Sequence, residues 1–338
     1  MLHVLGSIRN RDGAGLSGVR VAVFGSGFGT ESAYVTTDTT GVFELDLTEG
    51  KYSVYINPPR DLGLGDVTVD DVSVTRKSAR IDYRYTGFQI QGTVLAPTGA
   101  SVDSGFVSFY SARDDYRVLQ RLQNGAFSVL VPRSGPYRMT AFSQDRSIPP
   151  ALQTLDVTGD TTLVIQIEGI PVTGTLFGPD GAGIQGATIQ APGSGSYAES
   201  EAGGRYRLWV RDGGYRFLVS PPDGMTFILS RITRFLTVSG PTSLDVSLAG
   251  TRWSGFVRLA TDSSVVPSAA VSAALVADYY NRSAVNVTGN DGAFQLILES
   301  GKEYDLSVKT PPPSQPLVIR DLVAVADSTF DIFIGPTR

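Results

Sequence analysis

Apolar and polar residues alternate along most of this chain, in short stretches separated by glycine- and proline-rich turns. In one stretch Phe43, Leu45 and Leu47 alternate with Glu44 and Asp46. A period of two places alternate side chains on opposite faces of a strand, so one face is buried and the other is in water. Such stretches recur at intervals of roughly ten residues, without a sustained helical period. The pattern predicts an all-β protein.

The alternating stretches belong to a unit that occurs four times. Each copy opens with a strand that has a central glycine, and these glycines lie 86, 82 and 81 residues apart: Gly6, Gly92, Gly174 and Gly255. A glycine two residues before an aromatic residue follows: Gly41 and Phe43, Gly125 and Phe127, Gly204 and Tyr206, Gly292 and Phe294. A glycine and a tyrosine come next: Gly50 and Tyr52, Gly135 and Tyr137, Gly214 and Tyr215, Gly301 and Tyr304. We interpret the segment between the aromatic residue and this tyrosine as a hairpin.

A single sheet would leave one apolar face of each copy in water, so two packed sheets are expected. The chain is therefore predicted to form four tandem seven-stranded antiparallel β-sandwiches in an elongated rod. The expected boundaries are residues 1–87, 88–169, 170–250 and 251–338. Because the junctions contain only one to three residues, we expect little hinge freedom between sandwiches.

The repeat resembles the carboxypeptidase regulatory-like family, a prealbumin-like (transthyretin-like) and Ig-like sandwich related to the Cna-B repeats of bacterial surface proteins. The first copy carries the family's pattern in the following residues: Gly6, Asp12-Gly13, Leu16, Gly18-Val19, Gly41, Phe43, Gly50 and Tyr52. The third copy keeps most of it, and the second and fourth copies depart from it in their first half. The resemblance implies this fold in each copy. For function, it implies a stalk, spacer, accessory or adhesive role.

Composition excludes several classes of function. The net charge is −5 and no lysine or arginine cluster is present, so a nucleic-acid partner is not expected. The chain contains no cysteine, which excludes disulfides and thiolate chemistry. The longest apolar stretches have the length of strands, so no membrane insertion is expected. The first residues predict a strand and not a signal peptide.

Catalytic groups are scarce. The single histidine, His3, is interpreted as a solvent-facing residue of an edge strand, and without a second histidine the usual triads and zinc sites cannot form. We therefore expect no enzyme activity, no catalytic residue and no cofactor. The densest carboxylate group is a candidate calcium site, with hydrogen bonding to turn amides as the alternative. Its members are Asp61, Asp66, Asp70 and Asp71.

Several tyrosines lie in or beside the variable segments of the repeat. They are candidates for contact with a ligand, and a glycan is the ligand considered because sugars pack on flat aromatic faces. Packing between domains or subunits is the competing interpretation and the one we favour. The candidates are Tyr110, Tyr116, Tyr197, Tyr279 and Tyr280.

These observations predict a non-enzymatic structural protein. We expect a fibre, stalk or decoration subunit of a virus particle, with a bacteriophage favoured, or of a bacterial surface. Charged residues make up only 18% of the chain, and buried protein contacts are depleted in charge. Protein partners in a homo-oligomer or a larger particle are therefore expected, on the virion surface or at the cell surface. The alternative is an adhesin that binds carbohydrate or a host surface through sandwich-end loops.

Overall fold

The computed structural model describes residues 1–25, 32–113, 116–278, 280–310 and 317–335. They form four β-sandwiches, each with its own hydrophobic core, which confirms the predicted fold class. The chain divides into two compact units, residues 1–168 and 169–338, with two sandwiches in each. Helix in the described ranges is limited to two 3-10 turns, Arg60–Leu62 and Ala202–Gly204. None of the described helical turns has the length or apolar character of a membrane span.

Sandwich 1 contains two sheets, of three and four strands. Its strands are β1 (Leu2–Arg9), β2 (Arg20–Gly25), β3 (Ser32–Thr36), β4 (Val42–Leu47), β5 (Gly50–Asn57), β6 (Val67–Val74) and β7 (Arg80–Arg84). The sheet orders are β4-β1-β7 and β3-β2-β5-β6. Neighbouring strands are antiparallel except β1 and β7, which run parallel because the last strand returns beside the first.

Sandwich 2 repeats this arrangement. Its strands are β8 (Phe88–Leu95), β9 (Gly105–Ser111), β10 (Tyr116–Arg121), β11 (Ala126–Val131), β12 (Gly135–Ser143), β13 (Ala151–Val157) and β14 (Thr161–Gln166). The sheet orders are β11-β8-β14 and β10-β9-β12-β13, so each strand occupies the place of its counterpart in sandwich 1.

Sandwich 3 has the same plan with interrupted strands. Its strands are β15 (Ile170–Phe177), β16 (Thr188–Ala191), β17 (Ser196–Glu199), β18 (Arg205–Val210), β19 (Gly213–Tyr215), β20 (Leu218–Ser220), β21 (Arg231–Ile232), β22 (Leu236–Val238), β23 (Thr242–Ser243) and β24 (Val246–Ser247). The fifth, sixth and seventh strand positions are each occupied by two short strands. The sheet orders are β17-β16-β20-β21, β19-β22 and β18-β15-β23, with β24 also paired with β15.

Sandwich 4 completes the chain. Its strands are β25 (Thr251–Leu259), β26 (Ala270–Leu275), β27 (Ser283–Val287), β28 (Ala293–Leu298), β29 (Glu303–Lys309), β30 (Leu317–Val323), β31 (Ser328–Thr329) and β32 (Ile332–Ile334). The sheet orders are β28-β25-β31, with β32 also on β25, and β27-β26-β29-β30.

The predicted hairpin is wrong. Strands β4 and β5 lie in different sheets, since β4 pairs with β1 whereas β5 pairs with β2 and β6. The chain crosses the core between them, and both strands turn their apolar face inward. Alternation of side chains reports which face is buried and contains no information on the neighbouring strand. A crossing and a hairpin therefore look alike in the sequence.

The prediction for His3 is correct in one respect and wrong in another. The side chain faces solvent, where Nδ1 lies 3.2 Å from Asp46 and Nε2 lies 3.5 Å from Glu44. Its strand, β1, is not an edge strand, because it lies between β4 and β7.

The central glycine of each first strand has a steric cause. A Cβ atom at this position would overlap a backbone carbonyl oxygen of the returning last strand. The four glycine and carbonyl pairs are Gly6 and Ile81, Gly92 and Leu163, Gly174 and Leu244, and Gly255 and Phe330. The glycine thus allows the first and last strands to pack side by side in every copy.

Candidate functional site

The tyrosine of the repeated glycine and tyrosine pair lies where the chain crosses from one sheet to the other. In all four sandwiches its hydroxyl donates a hydrogen bond to a backbone carbonyl four or five residues earlier. The pairs are Tyr52 with Thr48 at 2.8 Å, Tyr137 with Arg133 at 3.0 Å, Tyr215 with Arg211 at 2.9 Å, and Tyr304 with Glu299 at 3.1 Å. The arrangement matches the tyrosine corner of other β-sandwiches. It stabilises the crossing that the sequence pattern alone presents as a hairpin.

A proline-led loop joins sandwich 1 to sandwich 2. Residues 58–66, between β5 and β6, form this first docking loop. The amide of Leu130 on β11 donates a hydrogen bond of 2.9 Å to the carbonyl of Gly63. The side chain of Leu130 is only 4% exposed and belongs to the hydrophobic core of sandwich 1. The loop therefore covers the outer edge of β11 and receives an apolar side chain from it.

Gly63 is required at this contact for two reasons. Its φ of +65° is a left-handed conformation that residues with a Cβ adopt only at a cost. A Cβ atom here would also overlap the carbonyl oxygen of Ser128 on β11. The loop backbone consequently lies as close to the neighbouring strand as backbone atoms allow.

Tyr116, predicted as an exposed ligand contact, is buried at the same junction. Its hydroxyl accepts a hydrogen bond from the amide of Gly65 at 3.0 Å and donates one to the carbonyl of Leu130 at 2.6 Å. Burial raises the pKa of this hydroxyl far above its ordinary value. Tyr85 is also buried and donates to the carbonyl of Gly65 at 3.1 Å. Tyr116 thus packs between sandwiches 1 and 2 in the structure, which is the type of contact that the sequence analysis favoured for these tyrosines.

An exposed ion pair lies at another part of this junction. Arg11 of sandwich 1 donates to both carboxylate oxygens of Asp160 of sandwich 2, at 2.7 and 2.8 Å. Asp160 also accepts from the amide of Gln89 at 2.9 Å. The Arg11 hydrogen bonds, followed by the Gln89 amide, lower the pKa of Asp160. Because both side chains are in water, the pair contributes orientation more than stability.

A second docking loop, residues 221–230, joins sandwich 3 to sandwich 4 in the same way. The amide of Ile297 on β28 donates to the carbonyl of Phe227 at 2.8 Å, and the amide of Leu229 donates to the carbonyl of Ile297 at 2.9 Å. Ile297 is 2% exposed and belongs to the core of sandwich 3. Leu229, in return, is buried in the core of sandwich 4. Each sandwich of this pair thus contributes a side chain to the other.

The two junctions use equivalent positions of the repeat. Leu130 follows Phe127 by three residues, and Ile297 follows Phe294 by three. The same position in sandwiches 1 and 3 carries Asp46 and Trp209, neither of them aliphatic. Sandwiches 2 and 4 therefore share an aliphatic residue that the other two lack, and this residue is the sequence signal for a docked junction.

A nearly buried ionic cluster reinforces the second junction. Arg282 donates to Asp278 at 3.0 Å and to the carbonyl of Ser230, in the docking loop, at 3.0 Å. It also lies 3.3 Å from Glu299. Burial by itself would raise the pKa of Asp278, but the hydrogen bonds and charge of Arg282 outweigh it and lower that pKa. The cluster links the docking loop to sandwich 4.

Arg231 lies beside this cluster, at the segment that leads from sandwich 3 into sandwich 4. It donates a hydrogen bond to the carbonyl of Ala249, and its guanidinium lies 3.8 Å from Glu299. Burial lowers its pKa, and its buried Nε has no hydrogen-bond partner among the described residues. The nearby Glu299 offsets part of the cost of burying this charge.

The corresponding loop of sandwich 2, residues 144–150, takes a different course. The amide of Gln144 donates to the carbonyl of Ser104 at 2.8 Å, and Ile148 packs against the core of its own sandwich. The corresponding loop of sandwich 4 lies mostly outside the described residues. Docked junctions are thus observed inside each compact unit, from sandwich 1 to 2 and from 3 to 4.

The candidate calcium ligands have separate hydrogen-bonding roles. Asp66 accepts hydrogen bonds of 2.6 Å from the hydroxyl of Tyr55 and from the amide of Asn57. The others have different neighbours: Asp70 with Ser53, Asp71 with Lys51, and Asp61, through its carbonyl, with Gln120. Among the residues that the structure describes, no three acidic or histidine side chains come together as a metal site. The four carboxylates are not brought into one cage.

The remaining candidate tyrosines are dispersed. Tyr110 of sandwich 2 and Tyr280 of sandwich 4 are exposed, and Tyr197 of sandwich 3 is half-buried on β17. Tyr279 lies outside the described residues. Because the described candidates belong to three sandwiches, we treat each as a separate position and not as part of one surface.

Comparison with known proteins returns pilins among the solved structures of similar fold. No family model and no curated protein matches the chain. The Bacillus anthracis TIE protein is 10% identical over 94% of this chain and 68% of its own, with a TM-score of 0.24. A minor pilin of Streptococcus agalactiae is 11% identical over 48% and 95%, with a TM-score of 0.27. The major pilin subunit of Bacillus cereus is 9% identical over 98% of both chains, with a TM-score of 0.19.

Identities of 9% to 11% and TM-scores of 0.19 to 0.27 support no statement about the function of this chain. The resemblance to the carboxypeptidase regulatory-like family stays a prediction, as does the division into four domains at residues 87, 169 and 250.

Proposed function

We propose that this chain is a non-enzymatic structural subunit of a surface fibre or stalk. The observation that supports the proposal is the docking within each unit, in which a loop of one sandwich covers the edge strand of the next and receives its aliphatic residue. Leu130 and Ile297 perform this role at the two junctions. Such a junction resists bending better than a flexible linker, and resistance to bending is what a stalk requires.

Partners of the proposed subunit are other protein chains. Sandwich 4 leaves apolar side chains in water along β30 and just after it: Val318, Ile319, Val323 and Val325. An exposed apolar edge strand favours contact with another protein surface. We therefore propose assembly into a homo-oligomer or attachment to a larger particle, on a bacterial surface or on a virus particle, with a bacteriophage favoured.

Fractionation of the producing cells tests this proposal. Antibodies against the full chain, applied to cell-surface, particle and soluble fractions, are expected to detect it in an assembled fraction. Electron micrographs of that fraction should show labelled filaments or particles. A protein found only as a soluble monomer, at all concentrations in sedimentation experiments, would contradict the proposal. The alternative, a carbohydrate-binding adhesin, is supported by a surface other than the predicted sandwich-end loops, on the outer face of one sheet of sandwich 1, where Tyr34 and Tyr55 lie on either side of Ala22.

A further inference from the structure

One sheet of sandwich 1 presents a slot between two tyrosines to solvent. On the outer face of β2, Ala22 is paired with Tyr34 of β3 on one side and with Tyr55 of β5 on the other. The neighbours of Ala22 along β2, Val21 and Val23, point into the core, so Ala22 faces outward. Two large rings thus stand on either side of a methyl group. We call this feature the Tyr34–Tyr55 slot.

The spacing of the strands leaves room for a flat ring between the two tyrosine side chains. Strands β3 and β5 are two strand spacings apart, which is about 9.5 Å between backbones. The open concavity here has a volume of ≈ 730 Å³, within the usual range for ligand sites. Phe24 packs edge-on against Tyr34, with ring centroids 5.9 Å apart, and supports that wall.

One wall of the slot is held in place by a carboxylate. Asp66 accepts hydrogen bonds from both Tyr55 and Asn57, each at 2.6 Å. The hydrogen bond that the Tyr55 hydroxyl donates to Asp66 is the main cause of the raised pKa of Tyr55, and burial is the second. Arg20 lies in the same row of the sheet as Asn57. The rim therefore presents the Arg20 and Asn57 side chains. Asp66, bonded to Asn57 and Tyr55, places one negative charge next to this rim.

Core packing does not account for Tyr34. Its side chain is 72% exposed, so it contributes little to the stability of the sandwich. The matching rows of the other three sandwiches are Leu119-Ser108-Thr140, Tyr197-Gln190-Leu218 and Val285-Ser272-Ser307. None of these three rows has an aromatic residue on both sides. The paired tyrosines are a property of sandwich 1 and not of the repeat.

We propose that the Tyr34–Tyr55 slot binds a neutral pyranose ring of a polysaccharide. The C–H faces of a sugar ring pack on aromatic rings, while its hydroxyl groups need both donors and acceptors nearby. The tyrosine walls meet the first need, and the Asn57 and Arg20 side chains at the rim meet the second. A proline-rich peptide also packs on aromatic rings, but a proline residue has no donor to offer the side-chain carbonyl of Asn57. The inference is independent of the stalk function.

Calorimetric titration of the full chain with neutral hexasaccharides tests the slot. Cellohexaose, laminarihexaose and mannohexaose are suitable probes at millimolar concentration. At least one is expected to bind, and Tyr34→Ala should weaken its affinity about tenfold, the upper range for one aromatic contact. Ala22→Leu, which fills the slot, should abolish binding. Tyr197→Ala, on the matching face of sandwich 3, is the control and should leave the affinity unchanged.

Because Tyr34 is exposed, its variant should keep the wild-type melting temperature, and a melting curve checks this. Absence of binding by all three sugars would overturn the proposal. Equal affinity of the wild type and Tyr34→Ala would also overturn it. Binding of hexaproline in place of the sugars would assign the slot to a peptide and overturn the sugar assignment. None of these results bears on assembly into a fibre, so the two proposals fail separately.

Discussion

The amide of Leu130 donates a hydrogen bond of 2.9 Å to the carbonyl of Gly63, and so a loop of sandwich 1 covers the edge strand of sandwich 2. Ile297 and Phe227 repeat this contact at 2.8 Å in the second unit. An exposed edge strand tends to pair with other chains. In this chain the docking loops pair with those edge strands and so join neighbouring sandwiches.

Substitution of Gly63 should uncouple sandwiches 1 and 2. Gly63→Ala introduces a Cβ that overlaps Ser128, in addition to the cost of a positive φ, about 1–2 kcal/mol. Gly99→Ala is the matched control, because Gly99 has a φ of +84° with open space around it. We expect Gly63→Ala to lower the melting temperature clearly more than the control, as measured by differential scanning calorimetry. Equal shifts for the two variants would show that the loop is not tightly docked.

Truncation of Leu130 should destabilise two sandwiches at once. Leu130 belongs to sandwich 2 in sequence, but Leu130→Ala removes a buried side chain from the core of sandwich 1. The substitution should lower the free energy of unfolding by about 2–5 kcal/mol. Leu152→Ala, at an exposed position of sandwich 2, should change stability by less than about 0.5 kcal/mol. Amide hydrogen exchange, read separately for each sandwich, measures both effects. Protection lost only in sandwich 2 would argue against the shared core.

Removal of one corner hydroxyl should weaken the crossing between sheets. Tyr137→Phe deletes the hydrogen bond to the Arg133 carbonyl and should cost about 1 kcal/mol of the free energy of unfolding. Tyr110→Phe serves as the control, since Tyr110 is an exposed tyrosine of the same sandwich. Urea unfolding followed by fluorescence measures the difference. A value for Tyr137→Phe no larger than that of the control would contradict the role assigned to the corner.

The ionic cluster of the second junction should make stability depend on pH in the acid range. Asp278 is 7% exposed, and its pKa in the folded state lies below the ordinary value. A lowered pKa stabilises the folded state above the unfolded pKa of about 4, and this contribution is lost as the pH falls through the folded pKa. The stability difference between the wild type and Asp278→Asn should therefore be largest near neutral pH and decrease in acid. Thermal unfolding at a series of pH values measures it.

The control for this pH dependence is Asp212→Asn, at an exposed carboxylate of the same unit. It should leave the acid profile of the wild type unchanged. A constant difference between the wild type and Asp278→Asn at all pH values would contradict the ionic contribution of Asp278.

Fragments test the pairing of sandwiches. Residues 1–168 and 169–338 should each fold when expressed alone, because the docked junctions observed here lie inside these units. Residues 1–87 alone lack Leu130, which completes the core of sandwich 1, and should melt at a lower temperature than the same residues within 1–168. Circular dichroism measures both. If fragment 1–87 is as stable as the pair, the four sandwiches are independent modules.

Several features of the fold were predictable from the sequence because their causes are local. The alternation in β4 reports which side chains are buried, and the repeated glycines report where another backbone passes close by. The corner tyrosine is recognisable from its place after a glycine. Four copies of one pattern raise each of these signals above chance, so the fourfold repeat of the sandwich followed directly, whereas the interruptions of the strands in sandwich 3 did not.

Other features depended on which distant segments meet. The sequence presents β4 and β5 as a hairpin, and only the pairing of β4 with β1 shows the crossing. Tyr116 looks like an exposed loop tyrosine until the docking loop covers it. The calcium candidates are close in sequence, but two of them accept hydrogen bonds from different residues of β5. Asp70 accepts from Ser53 and Asp66 accepts from Tyr55.

By itself the sequence determined the all-β class, the fourfold repeat and the buried face of each strand. The alternation of apolar and polar side chains involves only residues that are close together in the chain. Only the tertiary structure decided that sandwiches dock in pairs and that Tyr34 and Tyr55 stand on either side of Ala22. These relationships depend on strand order and register, which are settled by contacts between residues far apart in the chain.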